Sequence, residues 1–85
     1  MKPEKTFRIG LVSASVFVNE VESEGGKRRF RSVNLQRRYR DSSDGEWKST
    51  SSFGLAELPQ AITVLDLALK HVASEEADAD GSVPF

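Results

Sequence analysis

The chain has 85 residues, which is enough for one small domain with a modest core. It has no cysteine and one histidine, so disulfides and sites built from thiolates or several imidazoles are excluded. Its 12 bases and 13 acids nearly balance, but they are segregated. Residues 74–85 hold four of the acids and no base, whereas residues 27–40 hold seven bases and no acid. The body therefore has 12 bases against nine acids, and this distribution predicts an anionic partner.

The first half of the chain predicts strands. Apolar residues alternate over residues 7–22, and the alternation shifts by one position just after Gly10. Such a shift indicates either a bulge or a break between two strands. Gly25 and Gly26 then predict a two-residue hairpin turn that leads into a second long strand over residues 28–40.

The second half predicts a short strand and a helix. Residues 41–46 have the composition of a turn, and residues 47–53 predict the short strand. The apolar spacing then becomes helical, which predicts a helix over residues 56–73 with Pro59 in its first turn. One apolar stripe of this helix is predicted to pack on the sheet: Leu55, Leu58, Ile62, Leu65, Leu69 and Val72.

The predicted fold class is α+β. A small curved antiparallel sheet of three to four strands is followed by one amphipathic helix at the C-terminal end. Residues 1–6 are expected to be a flexible N-terminus, residues 7–73 a single domain, and residues 74–85 a disordered acidic tail.

The two predicted turns assign side chains to the faces of the sheet. The first turn pairs Val18 with Val33 and Val12 with Tyr39, and a second turn centred near Ser43 pairs Tyr39 with Trp47. These residues then share the face that the helix covers, and Arg37 lies on the same side. The opposite face is predicted to hold Ser13, Ser15, Phe17, Asn19, Arg28, Phe30, Ser32, Asn34, Gln36, Arg38, Arg40, Lys48 and Thr50.

A polar, basic sheet face with scattered aromatic residues suits single-stranded nucleic acid. Bases stack on aromatic rings, and arginine and lysine neutralise phosphates. The alternative is a solvated face whose charges discourage edge pairing. The candidate nucleic-acid-binding residues are Phe17, Arg28, Arg29, Phe30, Arg31, Asn34, Gln36, Arg38, Arg40 and Lys48.

The order of elements resembles the positive cofactor four type of single-stranded-DNA-binding coactivator, whose general architecture Whirly proteins share. The resemblance rests on "FRIG" in the first strand, a Gly-bearing hairpin, a basic strand ending in "RRYRD", a "DGEW" turn and one C-terminal helix. The segment "SFGLAELP" also resembles the helix start of a group of short bacterial proteins. The first resemblance implies a homodimer that binds melted DNA, as in transcription regulation. It also implies helices at the dimer interface, here Leu58, Ile62, Leu65 and Leu69.

The end of the chain, "DADGSVPF", resembles the acidic tip of bacterial single-stranded-DNA-binding proteins. That resemblance implies recruitment of a DNA-processing protein. The alternative is an inert solubilising tail, and the tail could also regulate access to the basic face. The matching positions are Asp78, Asp80, Val83, Pro84 and Phe85.

Two functions from different classes follow. The first is binding of single-stranded DNA, or of RNA, which the sequence does not separate from it. The second is a homo-oligomeric protein–protein interaction module without nucleic-acid binding. An enzyme, a metal and a cofactor are not expected, because His71 near the helix end has no catalytic partner nearby in the sequence and no metal or phosphate-loop motif is present. No apolar segment is long enough for a membrane span, so we expect a cytoplasmic protein.

Overall fold

A computed structural model describes residues 2–76 as an α+β fold, which confirms the predicted class. Four antiparallel strands form one open sheet in the order β1-β2-β3-β4, and a single helix follows them. The elements are β1 (Lys5–Ile9), β2 (Val12–Ser23), β3 (Gly26–Arg40), β4 (Trp47–Thr50) and α1 (Leu58–Glu76).

The shift in apolar alternation is a break between two strands. Gly10 and Leu11 form the turn between β1 and β2, and Gly10 has a φ of 59°, which favours glycine. β1 begins at Lys5, two residues before the predicted start of the strand at Phe7. The helix begins at Leu58 and ends at Glu76, so it extends three residues beyond its predicted end.

The β2–β3 hairpin turns one residue earlier than predicted. Ser23 pairs with Gly26 across a two-residue turn of Glu24 and Gly25, and Gly26 has a φ of 111°. Val16 therefore pairs with Val33 instead of with Leu35. The register differs from the predicted one by two residues, and a shift of two leaves every side chain on its predicted face.

The register of β4 differs by one residue, so its predicted faces were wrong. Arg40 pairs with Trp47, and Tyr39 pairs with Lys48. The cause lies in the turn, where the backbone N–H of Asp41 donates to the carbonyl of Glu46 at 2.8 Å and encloses four residues. Trp47 is consequently on the face that the helix leaves open, and Lys48 is on the other face.

The sheet has two unlike faces. We call the face that packs against α1 the inner face and the opposite one the outer face. Val12, Ala14 and Val16 of β2 point to the inner face and are fully buried. Following the alternation through the paired strands, the odd-numbered residues of β1 and β3 share this inner face.

The helix contacts the sheet through small residues. Ala61, Val64 and Ala68 are buried against the valines of β2, with Phe7, Leu35, Phe53 and Val72 partly buried around them. Val72 belongs to the predicted stripe, but the contact predicted for the larger members of the stripe was wrong, because small side chains let the helix approach the sheet. Four stripe residues keep between 41% and 67% of their surface exposed: Leu58, Ile62, Leu65 and Leu69.

Candidate nucleic-acid interface

The outer face is polar and basic along its whole length. Among the strand residues that form it there is no aspartate or glutamate, because Glu20 and Glu22 lie on the inner face opposite Arg29 and Lys27. The outer-face residues are Thr6 and Arg8 of β1; Ser13, Ser15, Phe17, Asn19 and Val21 of β2; Arg28, Phe30, Ser32, Asn34, Gln36, Arg38 and Arg40 of β3; and Trp47 and Ser49 of β4.

Four arginines give the outer face its charge. They are Arg8, Arg28, Arg38 and Arg40, and within residues 2–76 none of them forms an ion pair. Arg40 donates from Nε to the carbonyl of Gly45 at 3.0 Å, which fixes part of its side chain. Arg28 and Arg38 are ten residues apart on one strand, about 34 Å at the usual rise. Unneutralised guanidinium groups therefore stand at both ends of the face.

The three arginines of the inner face are paired with acids, whereas Lys5 and Lys27 on the same face form no ion pair within residues 2–76. Arg29 Nη2 lies 3.2 Å from Glu20 Oε1, and Arg37 Nε lies 3.4 Å from Glu57 Oε1. Arg37 thus sits on the helix side, as predicted, and Glu57 at the start of the helix explains how that position is tolerated. The arginines of the basic segment therefore divide by alternation into a neutralised inner-face set and an unneutralised outer-face set.

Aromatic rings stand beside the free arginines on the outer face. Phe30 is 45% exposed, and Phe17 is half-buried opposite Ser32, which makes the two rings diagonal neighbours. Trp47 is 51% exposed, and the guanidinium carbon of Arg38 lies 5.3 Å from its ring centroid. This distance is typical of a cation–π contact.

Uncharged polar side chains fill the centre of the face. Asn19 donates from Nδ2 to Ser32 Oγ at 2.9 Å, and Thr6 Oγ1 lies 3.2 Å from Ser15 Oγ. Where β4 ends, a shallow cavity is lined by residues that can donate to and accept from a base edge: Asn34, Gln36, Ser49 and Ser51, with Leu35 and Thr50.

The structure brings seven of the ten predicted residues together on the outer face: Phe17, Arg28, Phe30, Asn34, Gln36, Arg38 and Arg40. The other three, Arg29, Arg31 and Lys48, lie on the inner face, where each is paired with an acid. Strand alternation places Arg29 and Arg31 on the face opposite the other seven residues. The one-residue shift of β4 places Lys48 there as well.

Arg31 is the most constrained of these three. Its side chain is 9% exposed, and it donates to both carboxylate oxygens of Glu4, at 2.7 and 2.9 Å. His71 Nε2 lies 3.0 Å from the same Glu4 carboxylate. The hydrogen bond from Arg31, with a second from His71, lowers the pKa of Glu4 from 4.5 to about 2. This cluster joins the N-terminal segment, β3 and α1, which is a structural role.

Lys48 serves the turn before β4. Its Nζ lies 2.7 Å from Asp41 Oδ2 and 3.1 Å from Asp44 Oδ2. The hydrogen bond from Lys48, followed by those from Ser43, lowers the pKa of Asp41 to about 2. These same contacts raise the pKa of Lys48, Asp41 contributing most. A lysine held between two carboxylates is a poor candidate for a phosphate contact.

Two outer-face residues, Arg8 and Trp47, were missed as candidates. Arg8 alternates with Phe7 and Ile9, so the strand period places it opposite the apolar side chains. Trp47 has no such signal, because its face depends on the turn before it. The predicted partner-binding residues Asp78, Asp80, Val83, Pro84 and Phe85 lie outside the described residues.

Comparisons with protein-family models, with curated proteins and with solved structures found no match. The two family resemblances therefore stay predictions from the sequence. In residues 2–76 no group of three or more histidine, aspartate or glutamate side chains is arranged to hold a metal ion. The helix found in that part of the chain does not combine the length and apolar character that crossing a membrane requires.

Proposed function

We propose that this protein binds single-stranded DNA on the outer face of its sheet. The observation that carries the proposal is the division of the arginines between the two faces. Arg29, Arg31 and Arg37 on the inner face each have an acidic partner, whereas the outer-face arginines have none among residues 2–76. A solvated face that only discourages edge pairing does not need its charges sorted in this way.

The mechanism is electrostatic capture followed by stacking. Arg8, Arg28, Arg38 and Arg40 neutralise phosphates, and each neutralised phosphate releases counterions. Phe30 and Trp47 offer exposed rings to bases, with Phe17 beside Phe30. Ser, Asn and Gln side chains between them add hydrogen bonds to sugars and base edges, so little sequence preference is expected.

Single strands suit this face better than duplex DNA. Duplex reading commonly places a helix in the major groove, and the exposed side of α1 is not basic. Lys70 is its only lysine or arginine, and its Nζ lies 2.9 Å from Asp66 Oδ2. RNA is a variant of the proposal, since no residue of the face is dedicated to a 2′-hydroxyl group.

The test is fluorescence anisotropy of a labelled single strand of ~20 nucleotides, titrated with the full chain at several salt concentrations. We expect binding that weakens steeply as salt rises, and weaker binding to the matching duplex. Binding that does not depend on salt, or no binding at low salt, would contradict the proposal. The same titration with an RNA strand of the same sequence shows whether the protein distinguishes DNA from RNA.

A homodimer is part of the proposal, and the exposed stripe of α1 supports it. Leu58, Ile62, Leu65 and Leu69 have a spacing of four, three and four residues, which is symmetric about the midpoint of the stripe. Two copies packed antiparallel about a two-fold axis would place Leu58 opposite Leu69, and Ile62 opposite Leu65. A self-complementary patch is what an interface between identical chains requires.

The same stripe also favours a second candidate function, that of an assembly module without nucleic-acid binding. The core of one copy consists of three valines and three alanines, which is small for a stable monomer. Sedimentation velocity separates the candidates when it is run with and without the labelled strand. Dimers that do not co-sediment with the labelled DNA at low salt favour the assembly module. Dimers that co-sediment with it favour DNA binding.

The acidic C-terminal residues and the cellular compartment complete the proposal. Asp78, Asp80, Val83, Pro84 and Phe85 would recruit a DNA-processing protein or regulate access to the outer face. A partner would take the acids in a basic pocket and the Phe85 ring in an apolar slot. We place the protein in the cytoplasm. Pull-down with a peptide of residues 74–85, compared with one in which Phe85 is alanine, tests the recruitment.

A further inference from the structure

The cavity where β4 ends has the size of a site for one base. The pairing of β3 with β4 stops at Arg37 and Thr50, and in the described chain no strand continues on that side of β3. The step that this leaves at the edge of the outer face holds a cavity of about 250 Å³. Pockets for drug-sized ligands begin at roughly 300 Å³, so this volume suits a smaller flat group such as a base.

The rim of this cavity is fixed by hydrogen bonds. The chain bends away from β4 at Ser51, and the backbone N–H of Ser52 donates to Thr50 Oγ1 at 3.1 Å. Arg37 Nε donates to the carbonyl of Ser52 at 3.0 Å, and Arg37 is itself paired with Glu57. The bend is thus held from the inner face. A site formed before its ligand arrives binds at a lower cost of ordering.

Two side-chain amides line the cavity without a hydrogen-bond partner. Asn34 and Gln36 are two positions apart on the outer face, about 7 Å at the usual rise. Neither side chain hydrogen-bonds to another within residues 2–76. Asn19 on the same face, in contrast, donates to Ser32 at 2.9 Å. Each free amide therefore offers a donor beside an acceptor.

The lining of the cavity favours adenine among the bases. An asparagine or glutamine amide makes two hydrogen bonds to the N6 donor and N7 acceptor of adenine, whereas guanine is matched by arginine or lysine and cytosine by an acid. The lining has amides and hydroxyl groups but no charged side chain. Arg38 lies opposite Ser49, but its guanidinium carbon is 5.3 Å from the ring centroid of Trp47.

We propose that this cavity binds one adenine base of the DNA strand and that Asn34 and Gln36 read it. The inference rests on the proposed function and adds to it a base preference at one position. Trp47 is two residues from Ser49 on the same face of β4, so its exposed ring is placed to stack the adjoining base. Stacking and phosphate contacts elsewhere on the face remain indifferent to sequence.

Fluorescence anisotropy of the full chain with four labelled strands tests the proposal. The strands have ~12 nucleotides, enough to span the face at about 3.4 Å per nucleotide. One is all thymidine, and the others carry a single central adenine, guanine or cytosine. Thymine is the reference because the same edge offers only an acceptor and a methyl group. We expect the adenine strand to bind about fivefold tighter than the other three, the low end for one bidentate contact.

The variant N34A/Q36A should bind all four strands equally. Its salt slope on the all-thymidine strand should stay unchanged, because the outer-face arginines remain, and this also shows that the variant is folded. Q60A, which removes an amide from α1, is the control and should keep the preference for adenine.

Four outcomes would overturn the inference. They are equal binding of the four strands by the unchanged chain, tighter binding of another base, a preference for adenine that N34A/Q36A retains, and a preference that Q60A loses. Salt-sensitive binding in any of these cases leaves the proposed function standing. Binding of no strand at low salt would contradict the proposed function and this inference together.

Discussion

Arg28 and Arg29 are neighbours in the chain that lie on opposite faces of β3, and replacing each with glutamine isolates the effect of the face. Both substitutions remove one positive charge from the same strand. Arg28 has no ion pair within residues 2–76, whereas Arg29 is held by Glu20 at 3.2 Å. If the outer face binds DNA, R28Q should weaken binding and R29Q should have little effect.

The magnitude follows from the number of outer-face arginines. Each phosphate neutralised on a single strand contributes roughly 0.7 to the slope of log affinity against log salt. Four arginines predict a slope of about −2.8 for one copy, so a fourfold rise in salt weakens binding about 50-fold. R28Q should reduce the slope to about −2.1, which corresponds to a loss of about 18-fold over the same range, and R29Q should keep the original value.

Fluorescence anisotropy of a labelled ~20-nucleotide strand at four or five salt concentrations measures these slopes. R28Q/R38Q extends the series, and its slope should fall to about −1.4. Equal slopes for R28Q and R29Q would refute the reasoning, since the charge would then act through the whole strand and not through one face. Circular dichroism melting of each variant checks that neither substitution unfolds the sheet.

Three further predictions concern the rings, the helix and pH. F30A should lose about 1–3 kcal/mol of binding free energy with an unchanged salt slope, because stacking releases no counterions; the same anisotropy titrations measure it. I62K should convert dimers to monomers in sedimentation velocity, whereas T63K, on the side of the helix away from the stripe, should not. Because Arg31 and His71 lower the pKa of Glu4, its stabilisation is fully present above pH 4.5 and is lost as the pH falls to about 2. Thermal melts of the unchanged chain and E4Q should therefore differ at pH 6 and converge toward pH 2.

The face assignment of the long hairpin could be predicted from the sequence, although its register was two residues off. Valines of β2 alternate with serines, and the apolar core takes only the valine phase of that alternation. The hairpin turn therefore had to join β2 and β3 in a register that keeps the valines on the buried face. A displacement by two residues changes the partners of Val16 but not its face, so Arg28, Phe30 and Arg38 were assigned correctly.

The faces of β4 could not be predicted in the same way. The strand has four residues, and apart from Trp47 they are lysine, serine and threonine, so burial imposes no phase. The turn decides the phase instead. Asp41 Oδ1 accepts from the N–H and hydroxyl of Ser43, and Gly45 adopts a φ of 72°. Several turns of similar length are compatible with this composition, and they would pair β3 with β4 in registers that differ by one residue.

The helix shows a third limit of the sequence. Its most prominent apolar stripe was assigned to the sheet, but three smaller residues take that place. Periodicity identifies an apolar face without saying what covers it, and size decides here. Ala61, Val64 and Ala68 are buried in the core with the β2 residues, and the larger Leu65 and Leu69 are left at the surface. This outcome removes the core role predicted for these leucines and leaves the dimer role that the family resemblance implies.

Within residues 2–76, no acid lies on the outer face of a strand, and this absence favours an anionic ligand there. Over residues 27–40 the chain has seven bases in one segment, and composition alone assigns them a single role. The structure gives Arg29, Arg31 and Arg37 acidic partners from β2, the N-terminal segment and the turn before α1. Those acids come from three separate parts of the chain, yet none is on the outer face of a strand. If charge repulsion between edges were the only purpose of the basic strand, neutralising the inner-face arginines would work against it. Concentrating free charge beside Phe30 and Trp47 is what capture of a flexible polyanion with stacking bases requires.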